Sequence, residues 1–354
     1  VVWEGEGPFF EDFEVGLVIR HWPGRTVYKF DNLLWSAITL DYTPLYIDEN
    51  YAAYTKFGEP IINPRLLHEL VVGITTKDTS INTLAFLGID YERFVKPVYP
   101  GDTIYVESEV VDVKESRSRP NVGIVAWVHR AYNQKGEPVY EVRRSNLVYK
   151  RDHAPWTRLV RGEEVSAGGE DVVGHLKARP SIPSFTERSD LIHKGWFGRS
   201  FEDFAMSEAI IHRLGRTVYQ FDNILATLMT DNVATLHFDA EYMLYHEYGK
   251  PVVLGPLVVG IGCGISSIDL TMNLAYDVDI VDLKLMAPVF DGDTLHARSE
   301  VLNVEEDPKD STVGVVTMRT TIFKDLFKTQ VARFTRKLAV YKRQHSPRWK
   351  IWKV

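Results

Sequence analysis

In the run Thr230-Asp-Asn-Val-Ala-Thr-Leu-His-Phe-Asp239, His237 stands five positions after Asn232, and Gly255 opens an apolar stretch shortly afterwards. These residue types suit proton transfer to or from water beside a carbonyl group. Histidine titrates near neutral pH, so His237 is the natural acid/base. Asn232, on the same loop or short helix, is placed to hold the water. Gly255 stands at a helix start, where the first N–H groups lack partners within the helix and the dipole favours negative charge. An oxyanion developing on a carbonyl would be stabilised there, and glycine lets the reacting group come close to the backbone. Each residue also has a plainer reading: a satisfied structural histidine, a turn or capping asparagine, an ordinary helix-start glycine. Asp231 reads as a cap or surface charge when taken alone. Cys263, inside the same apolar stretch, reads as core packing and not as a nucleophile.

What must position these residues is written twice. Gly24-Arg-Thr-Val-Tyr-Lys-Phe-Asp-Asn32 returns as Gly215-Arg-Thr-Val-Tyr-Gln-Phe-Asp-Asn223, an offset of 191 residues that holds without a gap for most of each half. Phe10-Glu-Asp-Phe13 falls on Phe201-Glu-Asp-Phe204, and Pro97, Gly101, Asp102 and Thr103 fall on Pro288, Gly292, Asp293 and Thr294. Near the end a one-residue slip sets Val148-Tyr-Lys-Arg151 against Val340-Tyr-Lys-Arg343. A repeat of this length is a duplicated domain and not a solenoid of short units. The copies differ where chemistry is expected: His237 corresponds to Tyr46, Gly255 to Pro64 and Asn232 to Asp41. Proline at 64 removes a backbone donor, so a single active site is expected in the second half. Arg25 and Arg216 survive in both halves, which favours a structural role. Arg65 and His68, whose counterparts are Pro256 and Val259, are candidates to bind a substrate carboxylate across the interface between halves. The plainer reading makes them part of an exposed helix face.

The length of 354 residues allows two domains with cores of their own. Residues 1–151 form the first, residues 152–194 a linker rich in Gly, Pro and charge, and residues 195–354 the second. Apolar residues in the linker (Trp156, Leu159, Val160, Leu191) suggest that parts of it pack down. Net charge is −7, which argues against nucleic-acid or anionic-membrane partners. No apolar run approaches the roughly 18 residues of a membrane span, and no signal peptide opens the chain. A single cysteine excludes an internal disulfide and fits a cytoplasmic location. No Cys/His cluster has zinc spacing, so no metal is expected. In each copy a first helix, with Phe30, Leu33, Leu34 and Ala37 at helical spacing, precedes a second apolar stretch at 66–74 and 257–268. In the second copy that stretch is apolar or glycine all round, as for a helix wrapped by a sheet. Strands then dominate: 102–113 alternates, and 122–131 and 139–150 follow, joined by a turn at 133–136. Each half is therefore expected to be α+β, an antiparallel sheet curled around one central helix.

The run 230–239, followed by Tyr248-Gly-Lys-Pro251 and Leu254-Gly-Pro-Leu257, resembles the MaoC-like dehydratases, the R-specific enoyl-CoA hydratases. Their signature D-x-N-P-x-H precedes F-G-x-P-I and a glycine that opens a central helix. The resemblance covers both halves and implies two tandem hot-dog domains, a double hot-dog. The runs Phe9-Phe-Glu-Asp12, Lys96-Pro-Val-Tyr-Pro-Gly-Asp-Thr103 and Tyr149-Lys-Arg-Asp152 look most like mesaconyl-CoA hydratases, also called β-methylmalyl-CoA dehydratases. The resemblance implies a lyase that reversibly hydrates an enoyl-CoA, with His237 moving the proton, Asn232 positioning water and Gly255 polarising the thioester. It implies mesaconyl-CoA as substrate and no cofactor beyond the CoA of the substrate itself; pairing into a homodimer stays open. This chain departs from the signature at Asn232, where the family has aspartate, and at Ala234-Thr235, where it has asparagine-proline. Asp231 and, through reach between halves, Asp41 are the alternative carboxylates; Asp231, Arg65 and His68 are the candidate substrate contacts. A hot-dog thioesterase and a non-catalytic acyl-CoA-binding protein are the competing functions.

Overall fold

The alternating runs of both copies form one antiparallel sheet. In the computed structural model, which describes residues 7–161, 163 and 198–352, the first half carries β1 (Val18–Arg20), β2 (Arg25–Thr26), β3 (Thr83–Phe94), β4 (Thr103–Glu115), β5 (Val122–Tyr132) and β6 (Pro138–Tyr149). The second half carries β7 (Ala209–Thr217), β8 (Leu274–Leu285), β9 (Thr294–Glu306), β10 (Val313–Lys324) and β11 (Thr329–Tyr341). The strand order is β1-β4-β5-β6-β3-β8-β11-β10-β9-β7, with β2 on β4. In β4, Ile104, Val106, Ser108 and Val110 all face inward, as their alternation predicts.

β3 and β8 pair directly, with Gly88 opposite Lys284 and Tyr91 opposite Val281, and make one sheet of the two halves. Neither strand stands out in the sequence, because register shifts in the β3–β6 and β8–β11 pairings break the alternation that marks a strand.

The helices are α1 (Lys29–Thr39), α2 (Pro44–Ile47), α3 (Glu49–Ala53), α4 (Pro64–Thr79), α5 (Pro155–Val160), α6 (Gln220–Met229), α7 (Ala240–Met243), α8 (Gly255–Leu270) and α9 (Arg348–Trp352). The sheet wraps α4 and α8, which are buried from Pro64 to Thr76 and from Gly255 to Ser267. They contact one another inside a core shared by both halves. Each helix also receives a loop from the other copy. A Cβ added at Gly73 of α4 would sit 1.8 Å from the Thr230 carbonyl oxygen, and one at Gly264 of α8 would sit 1.9 Å from that of Thr39. Only glycine admits the backbone there.

α1 forms where its spacing predicts, but with its other face inward. Trp35 and Ile38 are buried with Asp31, Asn32, Ser36 and Thr39, while Phe30, Leu33 and Ala37 lie outside. A polar clip, described below, decides that orientation. Of the expected linker, only 152–161 and 163 are described, and Leu191 lies outside the described residues. Pro155 and Thr157 of α5 are buried, whereas Trp156 and Val160 are exposed. Arg158 Nη1 donates to the Tyr245 carbonyl at 3.0 Å, tying this segment to the second half.

Candidate active site

The repeated Gly-Arg-Thr-Val-Tyr-x-Phe-Asp-Asn motif builds the frame. Asp222 accepts from the Tyr219 N–H (2.9 Å) and from Arg216 (2.7 Å), as Asp31 accepts from Tyr28 (2.7 Å) and Arg25 (2.6 Å). The helix N-terminus is thereby capped and its arginine held in place, the structural role expected of Arg25 and Arg216. The next residue is a latch. Asn223 Nδ2 donates to the carbonyls of His237 (2.7 Å) and Val252 (3.2 Å), and its Oδ1 accepts from the Leu254 N–H at 2.9 Å. One buried amide thus joins the histidine loop to the chain entering α8. Asn32 does the same in the first half with Tyr46, Ile61 and Asn63.

His237 closes a 3-10 turn, Thr235–His237, and is buried. Its Nδ1 lies 2.9 Å from the Val252 carbonyl oxygen. A carbonyl only accepts, so Nδ1 carries the proton and Nε2 is left with a bare lone pair. Burial lowers its pKa to about 4, against the opposing Val252 bond. The ring is therefore a neutral base at physiological pH.

Asn232 is also buried, its Oδ1 accepting from the Ala234 N–H at 3.0 Å. Across the interface it lies near Glu69 of α4, whose charged form it favours. Glu69 Oε1 accepts from Thr230 Oγ1 at 3.5 Å, and Oε2 has no protein partner. Burial raises the Glu69 carboxyl to about 8, with Asn232, Arg144 and Thr230 opposing. Glu69, a residue the sequence reading passed over, thus puts a buried carboxyl of the first half near Asn232, but it lines neither cavity.

The two helix starts differ as predicted, and further. Pro64 opens α4, and Asn63 caps it by accepting from the Arg65 N–H at 2.8 Å. Leu254 precedes α8 with no side-chain cap, and Pro256 has no N–H to give. The Gly255 N–H is left as an uncommitted donor at a positive helix end.

Two adjacent cavities meet here. One, about 180 Å³ and mostly apolar, is lined by Leu84, Phe86, Tyr248, Val258, Leu285 and Pro288 among others. A smaller chamber of about 60 Å³ is lined by Thr76, Ser80, Arg144, Asn146 and Asn232 among others. His237, Gly255, Phe86 and Leu236 line both. The structure therefore brings His237, Asn232 and Gly255 to one chamber, whose far wall belongs to the first half.

Asp231, Arg65 and His68 line neither cavity. Asp231 adopts φ +58°, is half exposed and approaches Arg25 Nε at 4.0 Å. Arg65 and His68 are not on an exposed face; both are buried and both reach Glu92, with His68 Nδ1 at 3.3 Å. Burial works against the Glu92 charge, but Arg65 and His68 outweigh it and hold the carboxyl down at about 2. The arginine that does reach the chamber is Arg144 of β6. Its signal was present in the sequence, since alternation sets it on the same face as the buried Val142 and Val148. Cys263 is buried within α8, as expected of packing.

The first half keeps an equivalent cavity of about 320 Å³, lined by Pro64, Phe94, Tyr276 and Asp277 among others, but without the histidine. Tyr46, in place of His237, donates to Asp277 Oδ2 at 2.5 Å, and Arg336 Nη2 lies 3.5 Å from Asp277 Oδ1. Among the described residues no group of His, Cys, Asp or Glu is gathered so as to hold a metal ion, and no helix is long and apolar enough to cross a membrane.

This fold and site define a MaoC-like dehydratase of double hot-dog architecture. A solved MaoC-domain protein from Chloroflexus aurantiacus superposes with a TM-score of 0.78 at 26% identity, covering 97% of this chain and 100% of its own. A conserved hypothetical protein of Mycobacterium tuberculosis with a double hot-dog fold gives 0.73 at 20% identity, covering 95% and 99%. The family model described as mesaconyl-CoA hydratase matches residues 3–340. The mesaconyl-CoA hydratase of Cereibacter sphaeroides is 34% identical over 90% of both chains, and the β-methylmalyl-CoA dehydratase of Chloroflexus aurantiacus 29% identical over 90% of this chain and 89% of its own. The chain belongs to the mesaconyl-CoA hydratase family and is a hydro-lyase.

Proposed function

We propose that this protein reversibly adds water across the double bond of an enoyl-CoA, with mesaconyl-CoA as the substrate and β-methylmalyl-CoA as the product. The observation that carries the reading is the convergence of His237, Asn232 and Gly255 on one 60 Å³ chamber beside an apolar passage. The pantetheine arm enters through the apolar cavity, and the thioester carbonyl lies against the Gly255 N–H. His237 Nε2 takes a proton from a water held by the Asn232 amide. The water oxygen bonds to the β-carbon, and the double-bond electrons move onto the thioester as an enolate. The Gly255 N–H and the α8 dipole stabilise that oxyanion. The proton held by His237 then passes to the α-carbon, so that H and OH have been added and nothing is oxidised. The chamber has room for roughly four to six water-sized groups, which suits a short acyl chain.

The test is loss of the enoyl-thioester ultraviolet band when purified protein meets mesaconyl-CoA. His237→Ala should lower kcat by about 10²–10⁴ while thermal unfolding stays close to wild type. A wild type that leaves the band unchanged, or a variant at full rate, overturns the reading. Free thiol released without loss of the band would show thioester hydrolysis instead.

A further inference from the structure

Arg144 is 2% exposed and lines the chamber with Asn232, His237 and Gly255. Its Nε donates to His129 Nε2 at 2.7 Å and its Nη2 to Ser80 Oγ at 3.3 Å. Both partners are neutral: His129 accepts through that nitrogen, and burial pushes its pKa well down. Among the described residues no carboxylate forms an ion pair with Arg144. Burial lowers its pKa to about 10 despite the opposing influence of Glu69, which is itself held protonated up to about pH 8. A buried cation without a counter-charge is unfavourable unless something else supplies one.

The duplicated half shows what is missing. Arg144 lies opposite Ile89 in the β6–β3 pairing, and Arg336 lies opposite Ile280, the repeat counterpart of Ile89, in the β11–β8 pairing. The two arginines are thus equivalent. Arg336 has Asp277 at 3.5 Å, and Asp277 in turn accepts from Tyr46 at 2.5 Å. At the repeat offset, Asp277 corresponds to Phe86 and Tyr46 to His237. In the second site, therefore, the internal carboxylate is replaced by a ring 6.0 Å from the guanidinium, and space opens beside the catalytic histidine. The first half carries, as Asp277, a carboxylate that the second half lacks.

We propose that Arg144 binds the free carboxylate of a dicarboxylic acyl thioester and so selects acyl chains that end in a carboxylate. The inference rests on the chamber being the acyl site, and its test does not depend on turnover. Succinyl-CoA and butyryl-CoA are saturated and of equal chain length; neither can be hydrated, and they differ in the terminal carboxylate. Calorimetric titration of the wild-type protein should show succinyl-CoA binding at least about 30-fold more tightly. Arg144→Met should abolish that preference and leave butyryl-CoA affinity within about threefold of wild type. Wild-type protein that fails to bind succinyl-CoA more tightly overturns the proposal without reference to any variant, as does a preference that survives in Arg144→Met. If the preference holds while mesaconyl-CoA is not hydrated, the carboxylate anchor stands and the hydratase reading falls.

Discussion

His237 shows how a single hydrogen bond sets a residue's chemistry. The Val252 carbonyl fixes the tautomer, and burial keeps the ring neutral, with a pKa of about 4. As the proposed base, His237 acts when unprotonated, so kcat/KM should hold steady down to about pH 5 and fall with an apparent pKa near 4; a limb near 6.5 would place His237 outside the proton path. Stability follows the same group. Its folded pKa is depressed, so unfolded chains take up the proton first as pH falls. Stability should be unaffected by His237 above pH 6.5 and should be lost between about 6.5 and 4, by roughly 3 kcal/mol from this residue. Denaturant titrations across that range, compared with His237→Gln, measure the contribution.

At the scale of elements, the two asparagine latches are a matched pair with unequal consequences. Each is buried and holds two carbonyls and one N–H, but only Asn223 holds the histidine loop against the start of α8. Replacing either by alanine strands buried backbone groups and should cost about 2–4 kcal/mol in chemical denaturation. Asn223→Ala should also lower kcat by about tenfold or more, because a small misplacement of catalytic groups is costly. Asn32→Ala should leave the rate per folded molecule within about twofold, since its latch serves a site without a histidine. Equal kinetic effects would show that the loop is positioned by something other than Asn223. The latch also accounts for α1. Asp31 and Asn32 must face inward to bond, and they turn Phe30 and Leu33 outward, against the orientation that hydrophobic spacing alone suggests.

At the scale of the molecule, the first half is a wall of the second half's site as well as a partner for its fold. Arg144, Ser80, Phe86 and Thr76 all line the chamber, Glu69 meets Asn232, and β3 pairs with β8. Residues 198–352 expressed alone would expose α8 and an unpaired β8 edge, which favours aggregation. That fragment should sediment as aggregate or, if soluble, fail to hydrate substrate. A monomeric, active fragment would show that the first half is dispensable to the site.

Several features were legible in the sequence by itself: the duplication, the α+β plan of a sheet around a central helix, the motif carrying His237, and the asymmetry that sets Pro64 and Tyr46 against Gly255 and His237. They are local or periodic, and residue type and spacing carry them. Which arginine lines the chamber was decided only by the tertiary structure. Arg65 looked available as a polar residue on an apolar helix, but it is bound to Glu92. Arg144 lies on a strand 88 residues before Asn232 and 93 before His237 in the sequence and reaches them because the β3–β8 seam folds one half against the other. Whether a buried charge has a partner depends on groups distant in the chain, and only the folded arrangement of both halves determines that.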